Sequence, residues 1–187
     1  MEETILSDLF KTGERIRILR YVSTRQEVNA TEIVQALSVS KALVSRYMHL
    51  LVEGGLCTKE GRIYRWIENP ISLAMKRLLN IHHLMQVIPA GLPERVEGIG
   101  VYGSFAEGRN RPGSDLDLYL LVPEYAPDLE MMAARMEKAI SEDVGVETHI
   151  LILTSNRLSD LKETDTPFYR SLVRTGYTLK GESIEEY

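Results

Sequence analysis

The strongest constraint on this chain is a corner between two apolar runs. Gly98 to Tyr102 is apolar and stops at Gly103-Ser104, and a second run, Leu116 to Val122, opens on Ser114-Asp115-Leu116-Asp117. Short apolar runs bounded by turn residues read as buried strands. Gly103-Ser104 then predicts a strand-to-helix turn, with a short helix from Ser104 to Gly108 and a loop rich in Arg, Pro and Gly before the second strand. Strand side chains alternate, so Asp115 and Asp117 project to the same side. Two carboxylates that close repel one another and need compensation. A divalent cation supplies it, and Mg²⁺ is commonly held by one or two carboxylates plus substrate phosphates. Free amides at a helix N-terminus, reached through a glycine, suit the terminal phosphates of a nucleotide. Taken singly, Gly103-Ser104 is a plain turn and the Asp pair a solvated strand end. Their combination with Gly108 and Ser114 points to a site for metal and phosphate.

The surrounding pattern is an α/β layered domain. Leu129 to Glu142 predicts a helix with Met132, Met136, Ala139 and Ile140 inward, Val146 to Leu153 a strand, and Thr166 to Thr175 a final helix.

Gly103-Ser104-Phe105-Ala106-Glu107-Gly108, five residues, then Ser114-Asp115-Leu116-Asp117-Leu118, resembles the signature of the nucleotidyltransferase superfamily that includes DNA polymerase beta. The branch it is most similar to is the minimal nucleotidyltransferases of archaea and bacteria. The resemblance covers roughly residues 93–182 and includes the tail Phe168 to Gly176. It implies a mixed sheet flanked by helices and transfer of a nucleotidyl group from an NTP with Mg²⁺ or Mn²⁺. Gly103 and Ser104 would bind the β- and γ-phosphates, with Gly108 and Ser114 completing the nucleotide-binding signature. Asp115 and Asp117 would hold the metals, and a third carboxylate is expected on a neighbouring strand. Glu147 is the only acid inside the run Val146 to Leu153, and alternation places Glu147, His149 and Leu151 on one face. Glu147 is therefore taken as the third catalytic ligand. A register that set Leu151 opposite the Asp pair would leave that ligand out. His149 reads more readily as a surface or structural histidine than as a ligand or base. Arg109 and Arg111 pair with phosphate or acceptor in one reading and belong to a solvated loop in the other. The resemblance also makes a toxin-like protein partner reasonable, because minimal members often act as antitoxins.

The front of the chain has a different pattern. Glu14 to Val22 is amphipathic, Asn29-Ala30-Thr31-Glu32 opens a short helix to Leu37, and Ser40 caps a third helix that stops at Gly54-Gly55. Two short extended runs follow, around Glu60-Gly61. Three helices and a hairpin predict a winged helix-turn-helix over residues 1–68. The third helix exposes Ser40, Lys41, Ala42, Ser45, Arg46 and His49 opposite Val44, Tyr47, Met48 and Leu51, as a helix in the major groove of double-stranded DNA requires. Lys59 and Arg62 at the hairpin tip would reach a neighbouring phosphate. The run Val39 to Tyr47, with Leu50 to Leu56 after it, resembles winged-helix regulators of the ArsR type. No thiolate pair for metal sensing accompanies it.

Asn69-Pro70 opens a helix from Ile71 to about Val87 that is apolar on more than one side, and Pro89, Gly91 and Pro93 then break the chain. Residues 69–92 read as a linker with a dimerisation helix, which predicts a homodimer, and 93–187 as the rear domain.

Charge follows the same division. Residues 1–88 carry 12 Lys+Arg against 9 Asp+Glu, and residues 89–187 carry 10 against 18. A mildly basic front and an acidic rear predict modules with different partners. The apolar runs are too short to span a bilayer, and Met1-Glu2-Glu3-Thr4 is acidic where a secretory signal would be basic, so a cytoplasmic protein without a membrane partner is expected. The single cysteine, Cys57, excludes an intramolecular disulfide and reads as a packing residue. Two functions share these motifs: a nucleotidyltransferase with an attached DNA-binding module, and a DNA-binding regulator whose rear domain senses a nucleotide without turning it over.

Overall fold

The structure, a computed structural model, describes residues 8–89 and 91–187; the acidic segment Met1 to Thr4 lies outside them. The chain forms two compact units, Met1–Lys76 and Arg77–Tyr187.

In the first unit, α1 (Gly13–Ser23) starts where the Thr12 side chain accepts from the amide of Arg15. Strand β1 (Glu27–Asn29) leads into α2 (Ala30–Leu37), where the Asn29 side chain accepts from the Glu32 amide. Ser38 turns the chain in the left-handed region, φ 52°. Helix α3 (Lys41–Glu53) begins under the expected cap, the Ser40 hydroxyl accepting from Leu43 N at 3.2 Å. Strands β2 (Cys57–Glu60) and β3 (Ile63–Trp66) form the hairpin, and β1 adds to β3, giving an antiparallel sheet in the order β1-β3-β2. Ile18, Leu19, Ile33, Val44, Met48 and Leu51 are fully buried between these elements. The buried Tyr47 hydroxyl donates to the carbonyl of Leu9 at 2.9 Å. Cys57 packs in this core, and burial pushes its thiol up to about 12, as suits a packing residue.

Helix α4 (Pro70–Val87) is opened by a reciprocal cap: Asn69 Oδ1 accepts from Ser72 N and the Ser72 hydroxyl accepts from Asn69 N, both at 2.9 Å. The boundary between the units falls inside it.

The second unit is built on β4 (Gly98–Tyr102), β5 (Leu116–Leu121), β6 (Thr148–Leu153) and β7 (Tyr177–Gly181), ordered β6-β5-β4-β7. β5 and β6 are parallel and the other pairs antiparallel, so the sheet is mixed. Alternation divides its faces. Leu116, Leu118, Leu120 and Ile152 pack with Leu84 and Ile88 and with Leu129, Ala133 and Ile140 of α6 (Pro127–Val144). Tyr119, Leu121 and Leu153 pack on the other face with Leu158 of α7 (Ser155–Thr164) and Leu172 of α8 (Thr166–Thr175). Strand β6 begins at Thr148 rather than at the expected Val146, so Glu147 stands just outside it. Among the described residues no helix is long and apolar enough to cross a membrane.

Candidate active site

The face that carries Tyr119 and Leu121 also carries Asp117, which shares their parity along β5, and Asp115 stands just before the strand. Leu158 of α7 and Leu172 of α8 pack on its downstream part, and the two carboxylates stand at its upstream end. There β4 turns into α5 (Gly103–Glu107) through Gly103, at φ 67°. A Cβ on Gly103 would lie 2.6 Å from Asp117 Oδ2, so glycine is what lets the carboxylate stand against this turn. Burial raises the Asp117 pKa above its ordinary value, the His149 charge opposes that shift, and the Asp115 charge adds to it. Tyr102 faces Asp117 across the β4–β5 pair and meets Phe168 edge-on at 5.9 Å between ring centres. Burial, and then the Asp117 charge, push its hydroxyl up to about 12.

The parallel register sets Asp117 opposite His149, and a bond of 2.8 Å from Leu116 N to Glu147 O ties the two strand entrances together. Leu151 lies opposite Tyr119, so the register that would leave the acid out does not occur. His149 Nε2 lies 3.9 Å from Asp115 Oδ2 and 3.9 Å from Glu147 Oε1. One ligand atom from each of Asp115, Glu147 and His149 falls within 4.8 Å of the other two. Asp117 stands one step further in, at the glycine turn. His149 thus belongs to the cluster, although its sequence position gives it no more weight than a surface histidine. Its parity with Glu147 is the available signal.

The loop between α5 and β5 is held from several sides. Gly108 ends α5 in the left-handed region, φ 73°, and the Ser104 carbonyl accepts from Arg109 N at 2.8 Å and Asn110 N at 3.1 Å. The Ser114 hydroxyl accepts from Arg111 N at 2.9 Å, so its side chain shapes the loop. The Arg109 guanidinium pairs with Glu107 at 2.8 Å. Asn80 of α4 donates to the Phe105 carbonyl and to Asn110 Oδ1, both at 2.9 Å, and Asn110 is buried. Sequence reasoning does not find Asn80; its one signal is an amide among the apolar residues of a helix.

In the first unit, Ser40, Lys41, Ser45, Arg46 and His49 are all exposed, with His49 Nε2 3.2 Å from Glu53. Asn29, Thr31, Lys41, Lys59, Arg62 and Tyr64 line a cleft of about 670 Å³ between the start of α2, the start of α3 and the hairpin. Glu27 and Glu60 are both engaged by Arg65, which neutralises the acids of the hairpin surface.

Residues 90–173 match the family model of the nucleotidyltransferase domain, and residues 16–61 match that of the IclR helix-turn-helix domain. The chain is therefore similar to a nucleotidyltransferase domain over its rear part and to a helix-turn-helix domain over its front part. The latter is of the IclR type and not of the expected ArsR type. The run that suggests ArsR, Val39 to Leu56, is a recognition helix and its stop, elements that helix-turn-helix domains share. No curated protein matches the chain. Among the solved structures similar to part of it are three of toxin-antitoxin proteins. The tri-AMPylated HEPN toxin of Shewanella oneidensis in complex with MNT antitoxin gives 14% identity over 57% of this chain and 73% of that one, TM-score 0.36. A toxin-antitoxin with AMP-PNP gives 15% over 59% and 75%, TM-score 0.37. A mutant MntA-HpeT toxin-antitoxin gives 14% over 59% and 77%, TM-score 0.38.

Proposed function

We propose that the rear domain is an active, metal-dependent nucleotidyltransferase that moves a nucleoside monophosphate from an NTP to a hydroxyl acceptor. One observation carries this reading: ligand atoms of Asp115, Glu147 and His149 lie within 4.8 Å of one another, with Asp117 beside them at the turn of Gly103 and across from His149. The donors fit a divalent ion. Three are carboxylates, the ligands of hard cations, and burial raises the pKa of Asp117, a cost to its charged form that a nearby cation would offset. Asp115, Asp117 and Glu147 would hold the ions. Such ions supply activation of the attacking hydroxyl and neutralise charge on the transferring phosphoryl group.

Gly103 and Ser104 would receive the β- and γ-phosphates, with amides freed by the turn and the Ser104 hydroxyl as donors. Arg109, exposed and paired with Glu107, would exchange that partner for phosphate. In the reaction the acceptor oxygen bonds to the α-phosphorus, the bond from that phosphorus to the β-bridging oxygen breaks, and pyrophosphate leaves. Ser40, Lys41, Ser45, Arg46, His49, Lys59 and Arg62 would bring the enzyme to double-stranded DNA through the recognition helix and the hairpin.

The protein acts as a homodimer in this reading. Ile71, Ala74, Leu78 and Met85 are exposed along α4 at 3-4-7 spacing, and Ile81, at the heptad position between the last two, packs on the rear core. That spacing is the seam of a two-helix coiled coil, and a second copy of α4 supplies the matching seam.

The deciding experiment incubates the protein with each α-labelled NTP and Mg²⁺ or Mn²⁺, offering the protein itself, tRNA and cell extract as acceptors. Transfer by wild type that is lost in Asp115→Ala/Asp117→Ala is the expected result. Nucleotide binding without transfer to any acceptor would instead make the rear domain a sensor for a DNA-binding regulator.

A further inference from the structure

We propose that His149 is itself a metal ligand, and that its imidazole makes the site prefer Mn²⁺ to Mg²⁺. The inference rests on the reading of the rear domain as metal-dependent and goes beyond it by naming the ligand that selects the ion.

The fold dictates where His149 stands. Thr148, Ile150 and Ile152 share one parity in β6; Ile150 and Ile152 pack with the α6 side of the sheet, which turns His149 to the opposite face. The parallel register then places it directly across from Asp117. Its Nε2 lies at the same 3.9 Å from an oxygen of Asp115 and from an oxygen of Glu147. Two carboxylates and one ring nitrogen therefore point at a common space, with every pair of donor atoms within 4.8 Å. An ion drawing these donors to ordinary ligand distances of about 2.0–2.2 Å needs side-chain rotation only, because all three side chains are more than half exposed.

The mixed donor set has a chemical consequence. Mg²⁺ demands oxygen ligands in near-ideal octahedral geometry and gives up its water reluctantly. Imidazole favours transition ions, and for a given site containing nitrogen affinity rises along the series that begins at Mn²⁺. A site with a nitrogen fixed beside two carboxylates is therefore biased away from Mg²⁺, whereas three carboxylates would accept either ion. If His149 only neutralises two neighbouring acids, no nitrogen reaches the metal and no such bias exists.

The test uses the full-length protein, stripped of metal, with Mn²⁺ as the paramagnetic ion. Pulsed electron paramagnetic resonance should show ¹⁴N coupling to bound Mn²⁺ in the wild type. In competition, Mg²⁺ should displace Mn²⁺ only at concentrations about tenfold or more above it. His149→Ala should abolish the coupling and weaken Mn²⁺ binding about tenfold or more, the scale on which disturbing a metal-site histidine acts, while changing Mg²⁺ binding little. His149→Asp, at the same exposed position, should restore binding of both ions without the preference and without ¹⁴N coupling. Bound Mn²⁺ lacking ¹⁴N coupling in the wild type, or coupling unchanged in His149→Ala, would overturn the proposal. Failure of the wild type to bind any divalent ion would overturn the metal-dependent reading beneath it.

Discussion

Gly103 and Asp117 share space so closely that either can be used to probe the other. A methyl group on Gly103 would sit 2.6 Å from Asp117 Oδ2 on a backbone at φ 67°, so Gly103→Ala must turn the carboxylate aside and accept left-handed strain of about 1–2 kcal/mol. We expect kcat/KM for transfer to fall at least about tenfold, equivalent to about 1.4 kcal/mol of transition-state stabilisation. Steady-state kinetics at saturating metal reads this directly, and unchanged kcat/KM would detach Asp117 from the reaction. The raised pKa of Asp117 makes a second prediction, about stability. A carboxylate whose folded pKa is raised favours the folded state while protonated and loses that advantage as pH rises from its unfolded to its folded pKa. Without metal, its charge then opposes folding at neutral pH. In protein held with a chelator, Asp117→Asn should melt roughly 2 °C higher at pH 7, a modest shift because the group is only partly buried. The gap should close below the ordinary carboxylate value of 3.8. A variant that melts lower at pH 7 would show that the carboxylate is already compensated by the protein.

At the scale of elements, legibility follows local chemistry. The Ser40 cap, the Gly54-Gly55 stop, Pro70 at the first turn of α4 and the strand Gly98–Tyr102 can be read because each is specified by its own residues. Strand β1 has three residues, too few to show a period, and exists through its pairing with β3. Strand β7, Tyr177–Gly181, is likewise recruited by β4. Helix α7 escapes a reading of the sequence although Thr154 caps it at the Arg157 amide, because its residues are mostly polar and only Leu158 is buried. The start of β6 lies at Thr148 and not at Val146 for a related reason: alternation sets the parity of Glu147 but not where pairing begins. The role of Asn80 is equally invisible, since its partners lie at Phe105 and Asn110. Asn80→Ala removes the donor to the Phe105 carbonyl and to Asn110 Oδ1 and loosens the end of α5, so it should raise the nucleotide KM severalfold, on the scale of about 1 kcal/mol for a lost hydrogen bond. Asn80→Gln keeps an amide donor at the same helix position and should recover part of the lost affinity. Equal kcat losses in both variants with KM unchanged would reduce Asn80 to a packing residue. On the same helix, Leu78→Glu sets a charge in the proposed seam, and light scattering should then show a monomer. A wild type already monomeric at tens of micromolar would remove the dimer.

On the scale of the whole chain, charge decides where DNA can be held. Residues 1–88 carry an excess of three positive charges and residues 89–187 an excess of eight negative ones, so the rear domain repels a polyanion and the front domain must supply the attraction. Lys41, Lys59 and Arg62 share one cleft, and Arg65 holds the nearby acids Glu27 and Glu60. These three cations are therefore the expected phosphate ligands. Replacing all three with Ala should weaken duplex binding of every sequence alike, because interactions with phosphate carry no base information. Each phosphate that is no longer neutralised lowers the slope of log affinity against log salt by about 0.9, so the triple variant should flatten it by roughly two to three. Arg46 and Ser45 lie on the exposed face of α3, and Arg46→Ala should relax sequence preference more than it changes the slope. Fluorescence anisotropy across a salt series, on one specific and one scrambled duplex, separates the two effects. If wild-type affinity did not change with salt, or the triple variant kept the full slope, the cleft would not be a phosphate site. The exposed face of α3 would then have to serve a protein partner, and the rear domain would be brought to its acceptor by that partner rather than by DNA.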